Sequence, residues 1–261
     1  MIRLLNLNIL KLQQNKRYNY MKPNTSLVAQ EILKIISKDR IRTNLLRNSE
    51  QKALVSLVQH IPSWVSPDLL TFVGFLGSLI VLLSFILATY INRYFLLISL
   101  AGFFINWFGD SLDGRLAIYR NKSRKWYGFS LDLSVDWITT IVIGLGFVFY
   151  TEGVGELLGY GFVVLYGWAI ITTLLRYKIT GEYTIDSGLL GPTEVRIIIS
   201  AILITEVLVK DSIVWVSGLA CIILLIVDIH DLLKLLSVAG DRDEEEKNKD
   251  KVEVKAEKEG K

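Results

Sequence analysis

The sequence predicts an all-α integral membrane protein, a bundle of about six transmembrane helices preceded by amphipathic helices. Hydrophobic residues make up 51% of the 261 positions, the mean hydropathy is +0.41, and only four residues are proline. This composition is typical of long apolar helices rather than of a soluble domain. A helix needs about 20 mostly apolar residues to cross the hydrocarbon core of a bilayer. Runs of this kind cover residues 69–91, 95–118, 132–150, 156–176, 193–209 and 212–235.

The segments that connect these runs differ in positive charge. Basic residues cluster before the first run, after the second and after the fourth: Lys34, Lys38, Arg40, Arg42, Arg47 and Lys52; Arg120, Lys122, Arg124 and Lys125; Arg176 and Lys178. The links on the other side offer only Arg93 and Lys210. Because cytoplasmic loops carry an excess of Lys and Arg, we expect both termini on the cytoplasmic side.

The chain divides into three predicted segments. These are an N-terminal cytoplasmic or interfacial segment (1–61), the transmembrane domain (62–239) and a charged, disordered tail (240–261). Apolar residues recur at helical spacing over 53–61 and over Leu27–Ile36. These stripes indicate amphipathic helices, lying on the membrane surface or, alternatively, packing against the bundle. The first residues lack a signal-peptide cleavage site, and Met21 is an alternative start to Met1.

Two pairs of carboxylates adjoin the apolar runs. Asp110 and Asp113 end the second run, and Asp132 and Asp136 begin the third. An ionised carboxylate at mid-membrane costs about 2.5–3.5 kcal/mol on insertion scales, so such residues mark functional sites. Residues three or four apart share one helix face, and each pair can therefore point at one space. Carboxylate oxygens suit Mg²⁺, Mn²⁺ or Ca²⁺, and the sequence has no matching His or Cys cluster for zinc or copper.

Small residues flank these carboxylates. Gly114 and Ala117 each lie one turn after an aspartate of the first pair, and Gly128 lies one turn before Asp132. They leave bare backbone where a bulky ligand can approach. This spacing indicates a nucleotide-binding site.

The pattern Asp110-x2-Asp113-Gly114-x2-Ala117, followed by Gly128-x3-Asp132-x3-Asp136, resembles the signature of the CDP-alcohol phosphotransferases, an integral-membrane family. The resemblance implies two metal ions, Mg²⁺ or Mn²⁺, held by the four aspartates and bridged by a CDP group. It implies that Asp136 is the catalytic base that deprotonates an alcohol acceptor. The implied reaction transfers a substituted phosphate from a CDP-alcohol to that acceptor and releases CMP, in phospholipid biosynthesis, with at least one substrate a lipid. Membrane lipids are further expected partners, and nucleic acid is not.

Two positions depart from the family pattern. Ile118 stands where the family has arginine, and Arg120 or the basic loop 122–125 is expected to supply the missing charge. Upstream, Pro67 to Gly74 is similar to the start of the family's first membrane helix, with Asp68 in place of asparagine. The alternative interpretation of that segment is a helix start capped by Asp68. The residues expected to contact the CDP group are Asp68, Thr71, Gly114, Ala117, Arg120 and Gly128.

The acceptor is not identified by the sequence. Glu194 and Arg196, at the start of the fifth run, are candidates to line its pocket, although Glu194 also suits a helix N-terminus. The segment around Trp64 is similar to the branch of the family that uses CDP-choline or CDP-ethanolamine. Arg115, Arg176 and Arg196 instead favour a phosphorylated acceptor, as in the branch that uses CDP-diacylglycerol.

Two other functions fit the same residues. A cation transporter would use the aspartates for permeation, and a catalytically silent family member, suggested by Ile118, would bind lipid or nucleotide. Release of CMP in the presence of Mg²⁺ separates both from the enzyme. The glycines at 153, 155, 159 and 161 indicate close helix packing, either within the bundle or in a homodimer.

Overall fold

The computed structural model describes residues 47–181 and 191–259, and all regular structure in these ranges is helical. The elements are α1 (Arg47–His60), α2 (Pro67–Tyr90), a 3₁₀ helix (Arg93–Leu97), α3 (Ile98–Tyr119), α4 (Lys125–Tyr150), α5 (Val154–Thr180), α6 (Pro192–Leu208) and α7 (Ser212–Glu259). The predicted all-α class is confirmed for this part of the chain. The apolar stripe at Leu27–Ile36 and the choice between Met1 and Met21 lie outside the described residues.

Five of the described helices are long and apolar enough to cross a membrane: α2, the 3₁₀ helix with α3, α4, α5 and the apolar part of α7. The predicted run 193–209 forms α6, a helix of 17 residues. At 1.5 Å per residue it is about 26 Å long, slightly shorter than the hydrocarbon core of about 30 Å. A sixth crossing therefore stays a prediction, as does the orientation of the termini.

Helix α6 nevertheless extends along most of the bundle. Arg196 in its second turn contacts Asp110 of α3, and Glu206 near its end accepts a hydrogen bond from the Tyr150 hydroxyl at the end of α4 (2.9 Å). The same carboxylate accepts the backbone N–H of Ile213 at the start of α7 (2.8 Å). Glu206 is 1% exposed. Its buried carboxyl group has hydrogen-bond partners in these donors, which join α4, α6 and α7 at the end of the bundle away from the aspartates.

The start of α2 differs by two residues from the sequence prediction. Ser66, not Asp68, is the N-cap, and its hydroxyl accepts the N–H of Leu69 (3.1 Å). Pro67 takes the first helical position, where its fixed φ and missing N–H are tolerated. Asp68 follows in the first turn, where a carboxylate favours the helix dipole.

Helices α2 and α3 approach so closely that their backbones touch. A Cβ atom added to Gly109 would lie 2.3 Å from the backbone N of Gly74, and one added to Gly77 would lie 2.4 Å from the backbone N of Asn106. Only glycine fits at these contacts, because a Cβ atom cannot lie so close to the backbone of the neighbouring helix. The contact sets the position of the α3 segment that carries Asp110 and Asp113.

The amphipathic stripe of α1 packs against the bundle, the second of the two arrangements considered from the sequence. Leu54 and Val58 are almost fully buried against Leu112 and Leu116 of α3. On the same side Arg115 lies 4.0 Å from Glu50, and both side chains are buried. Arg115 therefore faces α1, not a substrate pocket.

Helix α7 continues through the charged segment that was expected to be disordered. It is helical to Glu259. Arg242 pairs with Glu246 one turn later (3.0 Å) and donates to the carbonyls of Lys178 and Ile179 at the end of α5. These contacts and the abundance of Glu and Lys, which have high helix propensity, account for the extension. The boundaries of the three predicted segments stay a prediction.

Candidate active site and metal centre

The four aspartates meet where α3 ends and α4 begins. One carboxylate oxygen each of Asp110, Asp132 and Asp136 lies within 4.8 Å of the others. These residues and Asp113 line a small space of about 10 Å³ that also borders Thr71. Such a volume holds one water-sized particle. The two helical pairs predicted from their spacing thus face one another.

Asp113 is held by two hydrogen bonds. It is 6% exposed. Its Oδ2 accepts the hydroxyl of Thr71 (2.6 Å), and its Oδ1 accepts the backbone N–H of Gly114. The hydrogen bond from Thr71 links α2 to α3 and fixes the orientation of the carboxylate. Thr71, which was expected to contact the CDP group, therefore also supports an aspartate.

An arginine and an asparagine complete this cluster. Arg196 donates from Nη2 to Asp110 Oδ2 (2.7 Å) and from Nε to Asn106 Oδ1 (2.7 Å). Asn106 in turn donates to the carbonyl of Gly74 (3.0 Å). No role for Asn106 was predicted from the sequence. Its signal was a polar side chain one turn before Asp110, on the same face of an otherwise apolar run.

The donor set fits a divalent cation. Three converging carboxylates bring like charges together at distances where they repel one another. Arg196 offsets part of this charge through its ion pair with Asp110. Oxygen ligands in this arrangement suit a hard cation such as Mg²⁺ or Mn²⁺. The structure brings Asp110, Asp132 and Asp136 together in this way, and Asp113 lies beside them.

A larger cleft opens next to the aspartates and has a volume of about 190 Å³. It lies at the N-terminal ends of α2 and α4, and Asp113 and Asp132 border both it and the small space. Gly114, Ala117 and Gly128, the small residues expected beside a nucleotide, all line it. No heavy atom of the described residues would lie within 4 Å of a Cβ added to Gly128. The cleft therefore presents bare backbone to a ligand.

Two arginines near the cleft have different contacts. Arg120 donates to the carbonyls of Ile61, Pro62 and Val65, and so holds the loop between α1 and α2. Arg124 lines the cleft and forms an ion pair with Asp68. This hydrogen bond to Asp68 raises the pKa of the Arg124 guanidinium above its ordinary value, and the group stays charged.

A third cavity, of about 30 Å³, borders Asp136 and is also lined by Arg196, Thr139 and Tyr166. Arg196 Nη1 and Thr139 Oγ1 are buried and have no hydrogen-bond partner among the described residues. Buried polar atoms normally have partners, so these two mark a place for a polar ligand. Glu194, the other acceptor candidate, accepts the N–H of Gly191 at the start of α6 (3.1 Å), and its role toward an acceptor stays a prediction.

Together, the helical bundle and its carboxylate cluster define a membrane protein with a candidate metal centre. The sequence profile of the CDP-alcohol phosphatidyltransferase family matches residues 64–229, well over half of the chain, and the protein belongs to this family. The predicted family is confirmed. Its members are transferases of phospholipid synthesis and are generally metal-dependent. Comparison with curated proteins found no match to the chain.

Proposed function

We propose that this protein transfers a substituted phosphate group from a CDP-alcohol to an alcohol acceptor and releases CMP. Two divalent cations, Mg²⁺ or Mn²⁺, would be held by Asp110, Asp113, Asp132 and Asp136. The observation that carries the proposal is the convergence of Asp110, Asp132 and Asp136 within 4.8 Å, beside a cleft large enough for part of a nucleotide. Bound cations of this kind neutralise a diphosphate and stabilise its leaving phosphate.

The donor is assigned to the 190 Å³ cleft. Bare backbone at Gly114 and Gly128 lets a flat or bulky group approach closely. The N-terminal ends of α2 and α4 border the same cleft and add the positive end of two helix dipoles, which favours phosphate. The diphosphate would then lie toward Asp113 and Asp132, the carboxylates shared with the metal centre.

Asp136 is the proposed general base. This residue borders both the aspartate space and the 30 Å³ cavity, which Arg196 and Thr139 also line. An acceptor hydroxyl that enters this cavity therefore meets Asp136 and lies near two polar side chains, each with a buried atom that has no hydrogen-bond partner among the described residues. Asp136 accepts the hydroxyl proton as the new bond to phosphorus forms. Holding both reactants in fixed positions supplies a further part of the rate enhancement.

An apolar cavity of about 160 Å³ adjoins the acceptor side. It shares Ile143, Phe162, Val195 and Ile199 with the smaller cavity. This continuity supports a substrate with an apolar part, in keeping with a lipid. Positively charged loops at the aspartate end support a cytoplasmic active site. Homodimerisation stays a prediction from the glycines of α5, of which Gly155 and Gly159 contact side chains of their own chain.

The decisive experiment measures CMP release by the purified full-length protein. CDP-diacylglycerol, CDP-choline and CDP-ethanolamine are each offered with a panel of alcohol acceptors, with Mg²⁺ and without it. We expect CMP release with one class of donor, dependent on both the acceptor and the metal. Asp136→Asn should abolish transfer while it retains CDP binding, and Asp211→Asn, an exposed position at the opposite end of the bundle, is the control. Absence of CMP release with every donor would overturn the proposal and favour the silent alternative.

A further inference from the structure

The 190 Å³ cleft has one arginine whose position is set by a contact across its rim. Arg124 precedes α4, and its guanidinium pairs with Asp68 in the first turn of α2. The guanidinium also lies over the ring of Tyr127, 4.0 Å from its centroid. A stacked and paired arginine loses less conformational freedom when it binds a ligand. Arg124 is therefore presented to the cleft in a defined orientation.

Arg120 is less suited to a ligand in this cleft. Its guanidinium donates to three backbone carbonyls of the loop before α2, and releasing them would leave those carbonyls without these bonds. Ile118 lines the cleft but carries no charge. Of the arginines at these neighbouring positions, Arg124 is the one whose present partner can be exchanged.

The pair between Arg124 and Asp68 is exchangeable because both side chains are about half exposed, at 52% and 46%. Exposed ion pairs contribute little to stability, since water solvates both partners. The diphosphate of a CDP-alcohol carries two negative charges, one more than a carboxylate, and its oxygens match the planar guanidinium with two parallel hydrogen bonds. A diphosphate in the cleft should therefore displace Asp68 from Arg124.

We propose that Arg124 binds the diphosphate of the CDP donor, and that Asp68 holds its guanidinium at the rim until the donor displaces it. This inference rests on the proposed function and names a substrate-binding residue for it. Arg124 supplies the positive charge that the uncharged Ile118 does not offer to the diphosphate. Asp68, which the sequence pattern predicted to contact the CDP group, instead competes with the donor for Arg124 in this proposal and lowers the affinity for the donor.

The test is equilibrium binding of radiolabelled CDP to the purified full-length protein in detergent with Mg²⁺. Arg124→Ala should raise the dissociation constant about 10- to 100-fold, the usual effect of losing hydrogen bonds between charged groups. Arg124→Lys should give an intermediate value, because lysine keeps the charge but not the paired geometry. Asp68→Asn should lower the dissociation constant by up to about fivefold, since the competing ion pair is weak. Adding Ile118→Arg to Arg124→Ala should restore most of the lost affinity.

Arg93→Ala is the matched control, because Arg93 also stacks on a neighbouring tyrosine, Tyr94, at the opposite end of the bundle. Its dissociation constant should equal that of the wild type. If wild-type protein binds CDP and Arg124→Ala binds it equally well, this inference is overturned and the proposed function stands. If wild-type protein binds no CDP, both are overturned. If Arg124→Ala does not fold, Asp68→Asn still tests the inference. CDP binding by Asp68→Asn that is unchanged or weaker than in the wild type would then overturn it.

Discussion

Arg196 of α6 and Asp110 of α3 form an ion pair of 2.7 Å inside the candidate active site. The two residues lie 86 positions apart in the sequence. One edge of the guanidinium is thus held by Asp110 and Asn106, and Arg196 also lines the small cavity beside Asp136. The arginine connects the proposed metal centre with the proposed acceptor pocket.

Arg196→Gln should therefore impair use of the acceptor more than use of the donor. We expect kcat/KM for the acceptor to fall about tenfold or more, since a charge-assisted contact to the acceptor is lost. Initial rates of CMP release, measured with each substrate varied in turn, check this. Arg93→Gln is the control, because Arg93 lies in the 3₁₀ helix at the opposite end of the bundle. Equal effects on both KM values would argue against an acceptor role.

Gly128→Leu should block the donor cleft without unfolding the protein. Within the part of the chain that the structure describes, an added Cβ meets no heavy atom within 4 Å, so the side chain has room to enter the cleft. We expect the KM for the CDP donor to rise about tenfold, because the leucine side chain occupies space that the donor needs. Thermal stability should be unchanged or higher, because glycine within a helix costs about 0.5–1 kcal/mol. Gly161→Leu, equally open in α5, should leave the KM unchanged.

Gly109→Ala should damage both the fold and the site. Its Cβ would lie 2.3 Å from backbone atoms of α2, which cannot move aside as a flexible side chain can. We expect a loss of about 1–3 kcal/mol in the free energy of unfolding. Because the change separates α2 from α3, it should also move Asp110 and Asp113 and reduce turnover. Thermal unfolding in detergent and CMP release measure the two effects, and Gly161→Ala is the matched control.

Removal of divalent cations should destabilise the protein. Chelation leaves the carboxylates of Asp110, Asp132 and Asp136 to repel one another, whereas a cation at 100 times its dissociation constant stabilises the fold by about 2.7 kcal/mol. The unfolding temperature in detergent should therefore fall on addition of EDTA and recover with excess Mg²⁺. Asp132→Asn should diminish this response, and Asp211→Asn should retain it. A metal response of equal size in both variants would place the cation elsewhere.

The sequence predicted the elements of the site whose signals are local. Pairs of aspartates at helical spacing share one face by geometry alone. The family pattern indicated that the two pairs, on two helices, belong to one site. Contacts between distant segments could not be read in this way. No local pattern announces that Arg196 reaches Asp110, or that Arg120 holds the loop carbonyls of Ile61 and Val65.

Helix boundaries were also predicted only in part from local signals. The apolar run predicted for α4 begins at residue 132, but the helix begins at Lys125, because helical hydrogen bonding continues beyond the apolar surface. In the segment after residue 240 the charged composition indicated disorder, yet the same Glu and Lys residues also have high helix propensity. The contacts of Arg242 with the end of α5 favour the helix, and they are not visible in the composition.

Glu206 connects three helices at one end of the bundle. It ties the ends of α4 and α6 to the beginning of α7, far from the aspartates, through well-formed hydrogen bonds. Helices that are held together at one end can separate at the other end while the first end stays fixed. We therefore expect substrate-dependent changes in amide hydrogen exchange near Pro192 and Arg196, and steady protection around Glu206.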